Sequence, residues 1–193
     1  YKNERMGYGV FPTKFIPKVQ IAYFKDALEP EVTPEEFARH TPEMQEIIER
    51  YSYIDERGIR IISWDFGKYV NHCCHCNTMS TGYGFEIAIR DISPGEELTD
   101  EYGMFNIEKA MPLLCSYPDC RRAVSKEDFE NCYPRWDEQV KNALYWMNEV
   151  PQPLMSFLNP EVMGQVNEFF KDPTVYKSVY SLKYHDVKAE NGQ

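Results

Sequence analysis

The stretch Gly95-Glu96-Glu97-Leu98-Thr99-Asp100-Glu101-Tyr102-Gly103 is the part of the sequence that decides the fold. It follows Ser93-Pro94, and proline and glycine in this order favour a turn. By itself the stretch is typical of an acidic turn and a short strand that ends in a tyrosine. Because an aromatic residue at a strand end usually packs into a core, this stretch alone predicts no activity.

A second stretch, Asn71-His72-Cys73-Cys74-His75-Cys76-Asn77, holds the densest group of potential ligands, since five of its seven residues bind metals or titrate. Adjacent cysteines rarely ligate one ion together, because neighbouring side chains diverge. A metal site here therefore needs ligands from elsewhere in the chain. The alternative is a buried polar turn without a metal.

A third stretch, Gly7-Tyr8-Gly9, places two glycines one residue apart near the start of the sequence. Glycine lets a backbone bend sharply and approach a ligand closely. The same pattern also fits an ordinary turn, so it gains meaning only from its neighbours.

In this order and spacing, the three stretches resemble the motifs of SET-domain lysine methyltransferases. That family shows Asn-His-Ser-Cys-x-Pro-Asn followed by Gly-Glu-Glu-Leu-Thr-x-x-Tyr. Here Cys73 replaces the serine and Cys76 the proline, while the second motif matches throughout. The resemblance covers roughly residues 1–122 and is greatest to compact bacterial-type members. It implies a mainly β fold with helices (α+β class), made of small curved sheets with a pseudoknot and followed by a helical C-terminal segment.

The resemblance also implies a site for methyl transfer from S-adenosylmethionine to lysine, with S-adenosylhomocysteine as product. Tyr102 takes the position of the catalytic tyrosine. Tyr53, or its neighbour Tyr51, lies where the family places a second channel tyrosine, and we take Tyr53 as the candidate. His72 is given a binding role rather than that of a base. The residues expected to bind the cofactor are Gly7, Tyr8, Gly9, Asn71, His72 and Tyr102.

These residue types suit the chemistry of methyl transfer. The attacking amine must be neutral, whereas a free lysine has a pKa of about 10.4. A narrow apolar channel lowers that pKa by desolvation, and the positive sulfur of the cofactor lowers it further. Tyrosine rings form such walls while their hydroxyls orient an amine.

The cysteines resemble part of a second family feature, a post-SET segment Cys-x-Cys-x-x-x-x-Cys that binds zinc together with a cysteine of the Asn-His block. Leu113 stands where the first of these cysteines is expected. Zinc takes four N or S ligands. The expected ligands are Cys74, Cys115, Cys120 and, as the fourth, Cys132, with Cys76 and Cys73 as alternatives. The other interpretation is that all are reduced structural cysteines. The printed sequence has no basic-then-apolar leader, so we expect reduced thiols rather than disulfides.

Charge and hydropathy restrict the partners. The chain has 21 Lys and Arg against 31 Asp and Glu, a net charge of -10. This argues against direct nucleic-acid binding, which needs a positive surface. It favours a basic protein or lysine-containing peptide as substrate, although solubility alone also explains it. No apolar run approaches the length of a membrane span. We expect a cytoplasmic protein, or a nuclear one if the substrate is a histone, and the oligomeric state stays open.

Three parts are predicted along the chain: a SET domain (residues 1–104), a post-SET-like cysteine segment (105–134) and a helical C-terminal extension (135–193). Thr33-Pro34 and Thr41-Pro42 predict helix starts, as does Asn159-Pro160, and Glu36 can complete a capping box. Two other functions remain to be separated from catalysis. One is a SET-like fold that binds a partner without turnover, and the other is a zinc- or thiol-based interaction module.

Overall fold

The chain forms several small sheets with helices on them. The computed structural model describes residues 2–3, 7–115 and 117–185. Helices hold 37% of the described residues and strands 19%, which confirms the predicted α+β class. Residues 186–193, the end of the predicted C-terminal extension, lie outside the described residues. Among the described helices, none combines the length and the apolarity needed to cross a membrane.

Short strands build the sheets of the described part of the chain. The strands are β1 (Lys2–Asn3), β2 (Gly7–Tyr8), β3 (Ile21–Phe24), β4 (Glu31–Val32), β5 (Ser52–Ile54), β6 (Arg60–Ile62), β7 (Asn71–His72), β8 (Thr78–Ser80), β9 (Phe85–Ala88), β10 (Thr99–Asp100), β11 (Met111–Pro112) and β12 (Ala123–Val124). Two three-stranded antiparallel sheets have the orders β3-β9-β8 and β4-β6-β5, and three further pairs are β1-β2, β11-β12 and β7-β10.

Side-chain caps set the start of three helices. The α-helices are α1 (Pro34–Arg39), α2 (Pro42–Tyr51), α3 (Asp128–Tyr145) and α4 (Pro160–Lys171). The first turn of a helix leaves backbone N–H groups without partners. The predicted residues Thr33, Thr41 and Asn159 accept hydrogen bonds from these groups in α1, α2 and α4. Glu36 closes the capping box on Thr33, as predicted.

Helix α3 begins before the predicted position near Arg135 and continues through Pro134. A proline inside a helix removes one backbone hydrogen bond. The helix persists because it buries one complete face. The buried residues of that face are Phe129, Trp136, Val140, Ala143 and Leu144. As a result, α3 runs across the expected boundary between residues 134 and 135.

The main core joins the C-terminal helices to the β3-β9-β8 sheet. Leu144 of α3 and Phe169 of α4 belong to the same buried cluster as Phe85 and Ile87 of β9. A hydrogen bond also joins the sheet region to the C-terminal segment, since the Tyr83 hydroxyl accepts the Lys177 backbone N–H at 3.0 Å. The helical segment is therefore part of one packed unit with the sheet.

A parallel contact between β7 and β10 positions the site. Asn71 lies opposite Thr99, and His72 lies opposite Asp100. The backbone N–H of Cys73 donates to the Asp100 carbonyl at 3.3 Å, which extends the contact. The two motifs that are distant in sequence thus lie side by side, as the predicted pseudoknot requires.

Candidate active site and cysteine cluster

A cavity of about 690 Å³ lies beside the parallel β7-β10 contact. Its volume falls within the range of about 300–1,000 Å³ that is usual for small-molecule sites. Both predicted tyrosines, Tyr53 and Tyr102, line it, together with apolar side chains such as Val10, Val70 and Leu98. The structure therefore brings the two tyrosines to one cavity.

Tyr102 is held with its hydroxyl fixed in direction. The hydroxyl donates to the Val70 carbonyl at 2.5 Å. Burial raises the pKa of Tyr102, and the negative charges of Asp100 and Glu86 raise it further. The hydroxyl consequently stays protonated at neutral pH. Because the hydroxyl donates its proton to the Val70 carbonyl, the lone pairs of the Tyr102 oxygen remain available to a group in the cavity.

The two tyrosines pack against the same phenylalanine. The Phe105 ring lies 5.4 Å from that of Tyr53 and 5.3 Å from that of Tyr102. Tyr51 also lines the cavity and packs edge-on against Tyr69, with centroids 6.0 Å apart. Burial raises the pKa of Tyr53, and the charges of nearby acidic residues add to this effect. Both candidates for the second channel tyrosine thus face the same space.

Asn71 joins the Gly7-Tyr8-Gly9 segment to Glu97 beside the β7-β10 contact, whereas of the predicted cofactor-binding residues Tyr102 alone lines the cavity. The Asn71 amide donates to the Tyr8 carbonyl at 2.9 Å and to Glu97 Oε1 at 2.7 Å. A Cβ atom at Gly9 would lie 2.5 Å from that same Glu97 oxygen, so a side chain there would have to displace the Glu97 carboxylate from Asn71. Gly7 adopts a φ of +80°, in the region that favours glycine. The sequence did not indicate the role of Glu97 in joining these segments.

His72 connects Tyr102 to the cysteines. Its Nδ1 accepts the Tyr102 backbone N–H at 3.1 Å, which assigns the proton to Nε2. Nε2 lies 3.6 Å from Cys74 Sγ. Burial lowers the pKa of His72 to about 4, and the positive charge of Arg121 acts in the same direction. A neutral ring with both nitrogens engaged fits a structural role better than that of a base.

A buried ion pair supports the Tyr102 turn. Glu101 is buried and accepts the Gly103 backbone N–H at 2.9 Å. Arg121 pairs with Glu101 and also with Asp128, the latter at 3.1 Å. Burial raises the pKa of Glu101, whereas Arg121 opposes this shift. Sequence reasoning missed Arg121, because nothing in its local pattern points to a residue twenty positions away.

Three cysteines converge on one point. The sulfur atoms of Cys74, Cys115 and Cys120 all lie within 4.8 Å of one another, which makes them a candidate metal site. Soft thiolates at this spacing suit zinc, whose Zn–S bonds are about 2.3 Å long. Burial acts to raise the pKa of Cys115, but backbone hydrogen bonds from Tyr117 and Cys74 outweigh it and the pKa is lowered. A lower pKa favours the thiolate that a metal needs at Cys115, whereas burial raises the pKa of Cys120.

Cys132, the expected fourth ligand, lies outside this group of three. Its sulfur is 3.9 Å from an Arg121 nitrogen. Each of the six cysteines, all of them within the described ranges, is a free thiol.

Two carboxyl groups in the cavity were missed by the sequence interpretation. Glu86 and Asp100 both line the cavity. Burial raises the pKa of Asp100 to about 7 and raises that of Glu86 well above its ordinary value. The signal was present in the sequence, since Glu86 is the only charged residue in the apolar strand Phe85–Ala88.

Solved structures with a similar arrangement include methyltransferases. The methyltransferase domain of human histone-lysine N-methyltransferase SETMAR aligns with a TM-score of 0.45 and 17% identity, covering 64% of this chain and 56% of that one. KRYPTONITE in complex with mCHG DNA and SAH aligns with a TM-score of 0.45 and 18% identity, covering 64% of this chain and 28% of that one. A complex of KRYPTONITE with mCHH DNA, H3(1-15) peptide and SAH aligns with a TM-score of 0.44 and 18% identity, and the coverage of both chains is the same. The chain thus spans about half of the SETMAR domain and just over a quarter of the KRYPTONITE chains. No curated protein matches it in sequence.

The family comparison agrees with the site geometry. The SET-domain model matches residues 7–103, which is just over half of the 193 residues. The matched part begins at Gly7 and ends at Gly103, so it includes both segments that meet at the β7-β10 contact. The chain belongs to the SET-domain family.

Proposed function

We propose that this protein transfers a methyl group from S-adenosylmethionine to the lysine side chain of a protein substrate. The observation that carries the proposal is the meeting of Tyr102 and Tyr53 in one cavity of about 690 Å³. Asn71, whose amide donates a hydrogen bond to the Tyr8 carbonyl, belongs to the β7-β10 contact beside this cavity. Membership of the SET-domain family supports the class of reaction.

The residues present fit the cofactor. S-adenosylmethionine, when bound, supplies an electrophilic methyl group on a positively charged sulfur. Glu86 and Asp100 place two acidic side chains in the cavity, beside the two tyrosines. The tight backbone approach at Gly9, next to the Asn71 amide, is suited to the polar amino-acid portion. The residues proposed to hold the cofactor are Gly7, Tyr8, Gly9, Asn71, His72 and Tyr102.

Tyr102 is proposed to orient the amine. Its hydroxyl proton is directed to the Val70 carbonyl, so an incoming amine N–H meets the oxygen lone pairs. The tyrosine and phenylalanine rings of the cavity exclude water and hold the lysine stem in line. Catalysis of this kind depends on positioning, which accounts for a large part of the rate in comparable reactions.

A basic protein is the proposed substrate. The net charge of -10 attracts a positively charged partner and raises the rate of encounter. Two acidic residues of α2, Glu46 and Glu49, also line the cavity, where they pair with Arg50 and Lys109. We also propose that Cys74, Cys115 and Cys120 hold a zinc ion that fixes the cysteine segment next to His72.

Replacing Tyr102 with Phe tests the proposal. Purified protein is incubated with radiolabelled S-adenosylmethionine and mixed core histones, and label in lysine is counted. We expect transfer by the wild type and a loss of about 100-fold or more in Tyr102→Phe. Tyr145→Phe is the matched control, because Tyr145 is exposed on α3 and should keep the wild-type rate. Undiminished transfer by Tyr102→Phe would contradict the assigned role.

A further inference from the structure

Two carboxyl groups lie in the cavity beside Tyr102. The proposed orientation of the substrate amine by Tyr102 does not use them. Glu86 comes from β9 and Asp100 from β10, and both line the cavity. Asp100 is only 2% exposed. Its Oδ1 accepts the Glu101 backbone N–H at 2.7 Å, whereas its Oδ2 is buried and receives no hydrogen bond from the described residues. Burying a carboxylate without a partner is costly, so this oxygen points to a missing ligand or proton.

The side chains of these two cavity-lining carboxyl groups interact directly. Two carboxylates this close cannot both ionise easily, so one proton is retained between them. Asp100 Oδ2, which receives no hydrogen bond from the described residues, is the oxygen open to this proton. The other titratable groups that face Glu86 are Glu29 and Asp65, whose negative charges also favour its protonated form.

Glu86 lines the same cavity as the two tyrosines of the site. Its negative charge contributes to the raised pKa of Tyr53 and to that of Tyr102. The Tyr102 hydroxyl is committed to Val70, and both nitrogens of His72 are engaged. Among the acidic residues that line the cavity, Asp100 alone is buried with an oxygen that receives no hydrogen bond from the described residues, which makes the carboxyl pair the best placed to take up a proton.

We propose that Glu86, backed by Asp100, accepts the proton of the substrate lysine ammonium before methyl transfer. This inference rests on the proposed function and adds a catalytic residue to it. An N–H bond of the ammonium breaks, its electron pair stays on nitrogen, and an O–H bond forms on Glu86. The neutral nitrogen then bonds the methyl carbon while the bond from that carbon to sulfur breaks, and its electron pair goes to sulfur. The proton held by Glu86 returns to solvent when the methylated product leaves.

Burial makes this proton transfer feasible. An ordinary glutamate, with a pKa of about 4.3, is a poor acceptor for lysine at about 10.4. Burial raises the pKa of the carboxyl pair and lowers that of an enclosed lysine, so the two approach each other. In a low-dielectric cavity the neutral amine and carboxylic acid also escape the desolvation cost of an ion pair.

The rate of transfer as a function of pH tests the inference. Wild type, Glu86→Gln and Glu138→Gln are compared with mixed core histones between about pH 6 and about pH 10, a range that includes the ordinary lysine pKa. Glu138→Gln is the matched control, because it removes the same charge from an exposed position of α3. We expect a loss of about 100-fold for Glu86→Gln at neutral pH. The loss should shrink as pH rises, because the lysine then loses its proton to solvent.

A second readout does not depend on activity. Carbon-13 NMR follows the carboxyl groups of the free protein during a pH titration, and the Glu86 signal is identified by its absence in Glu86→Gln. We expect it to titrate well above the ordinary value of about 4.3 and to shift in Asp100→Asn. If Glu86→Gln does not fold, Glu86→Asp identifies the signal instead, and the wild-type titration and Asp100→Asn decide the question.

Three results would overturn the inference while leaving the proposed function intact. These are an ordinary titration of Glu86, a wild-type pH profile in Glu86→Gln, and a loss in that variant that is the same at every pH. A folded wild type that binds no S-adenosylmethionine would overturn the proposed function and this inference together. Calorimetry of cofactor binding therefore separates the two failures.

Discussion

The backbone N–H of Tyr102 donates a hydrogen bond to Nδ1 of His72 over 3.1 Å. This bond joins the tyrosine motif to the Asn-His motif. The other ring nitrogen lies 3.6 Å from Cys74 Sγ, so the same imidazole also reaches the cysteine cluster. The tyrosine turn, the β7-β10 contact and the candidate metal site are consequently one connected unit.

Replacing His72 with Ala should destabilise the fold, because it leaves the Tyr102 backbone N–H without its acceptor. The expected loss in the free energy of unfolding is about 1–3 kcal/mol, measured by urea denaturation. His40→Ala is the control, since His40 is exposed after the end of α1. Equal effects of the two substitutions would show that the His72 bond adds nothing specific.

The cysteine cluster should determine the zinc content. Protein expressed with zinc and measured by elemental analysis should carry about one ion per chain. Cys74→Ser, Cys115→Ser and Cys120→Ser should each lower this content, because each removes one of the three convergent thiols. Cys132→Ser should retain the ion, since that sulfur lies outside the group. Full zinc content in all three cluster variants would exclude this site.

Gly103→Ala should destabilise the protein through a clash with α3. A Cβ at this position would lie 2.7 Å from the ring of Trp136, which is fully buried. Overpacking of this kind costs about 1–3 kcal/mol. Gly164→Ala on α4 has open space around its Cβ and should instead stabilise by up to about 1 kcal/mol. Thermal unfolding of both variants checks the opposite signs.

The caps and the motifs were predictable because they are local signals. Thr33, Thr41 and Asn159 each satisfy backbone groups within three residues, so the sequence alone places these helix starts. The start of α3 at Asp128 was not predictable in this way. Pro134 disfavours a helix at this point, but burial of Trp136 and its neighbours on the same face stabilises the helix despite the proline. Tertiary packing of this kind leaves no local pattern.

The acidic character of the cavity also escaped the sequence interpretation. A charged residue such as Glu86, in a strand with alternating sides, is usually taken to face solvent. The structure turns that side toward a cavity, next to Asp100 of another strand. Similarly, Arg121 pairs with Glu101 only because the cysteine segment folds back onto the Tyr102 turn. These relationships arise from topology, which spacing along the chain does not show.

Asp100→Asn should make stability less dependent on pH. The folded-state pKa of Asp100 is raised to about 7 from an ordinary 3.8, so between these values the folded state binds more protons than the unfolded one. Wild-type stability should therefore fall as pH rises from about 4 to about 7. Above that window Asp100→Asn should be more stable than wild type by on the order of 2 kcal/mol, since the amide carries no buried charge. Denaturant unfolding at several pH values measures this, and an unchanged pH dependence would contradict it.

Binding of S-adenosylmethionine, measured by calorimetry, tests the central claim most directly because it needs no substrate. Asn71→Ala removes the amide that links Tyr8 to Glu97, and Asn142→Ala, at an exposed position of α3, is its control. We predict saturable binding to wild type and to Asn142→Ala, and a loss of about tenfold or more in Asn71→Ala, equal to about 1.4 kcal/mol. A folded, zinc-loaded wild type that shows no binding would contradict the claim that this cavity is a methyltransferase site.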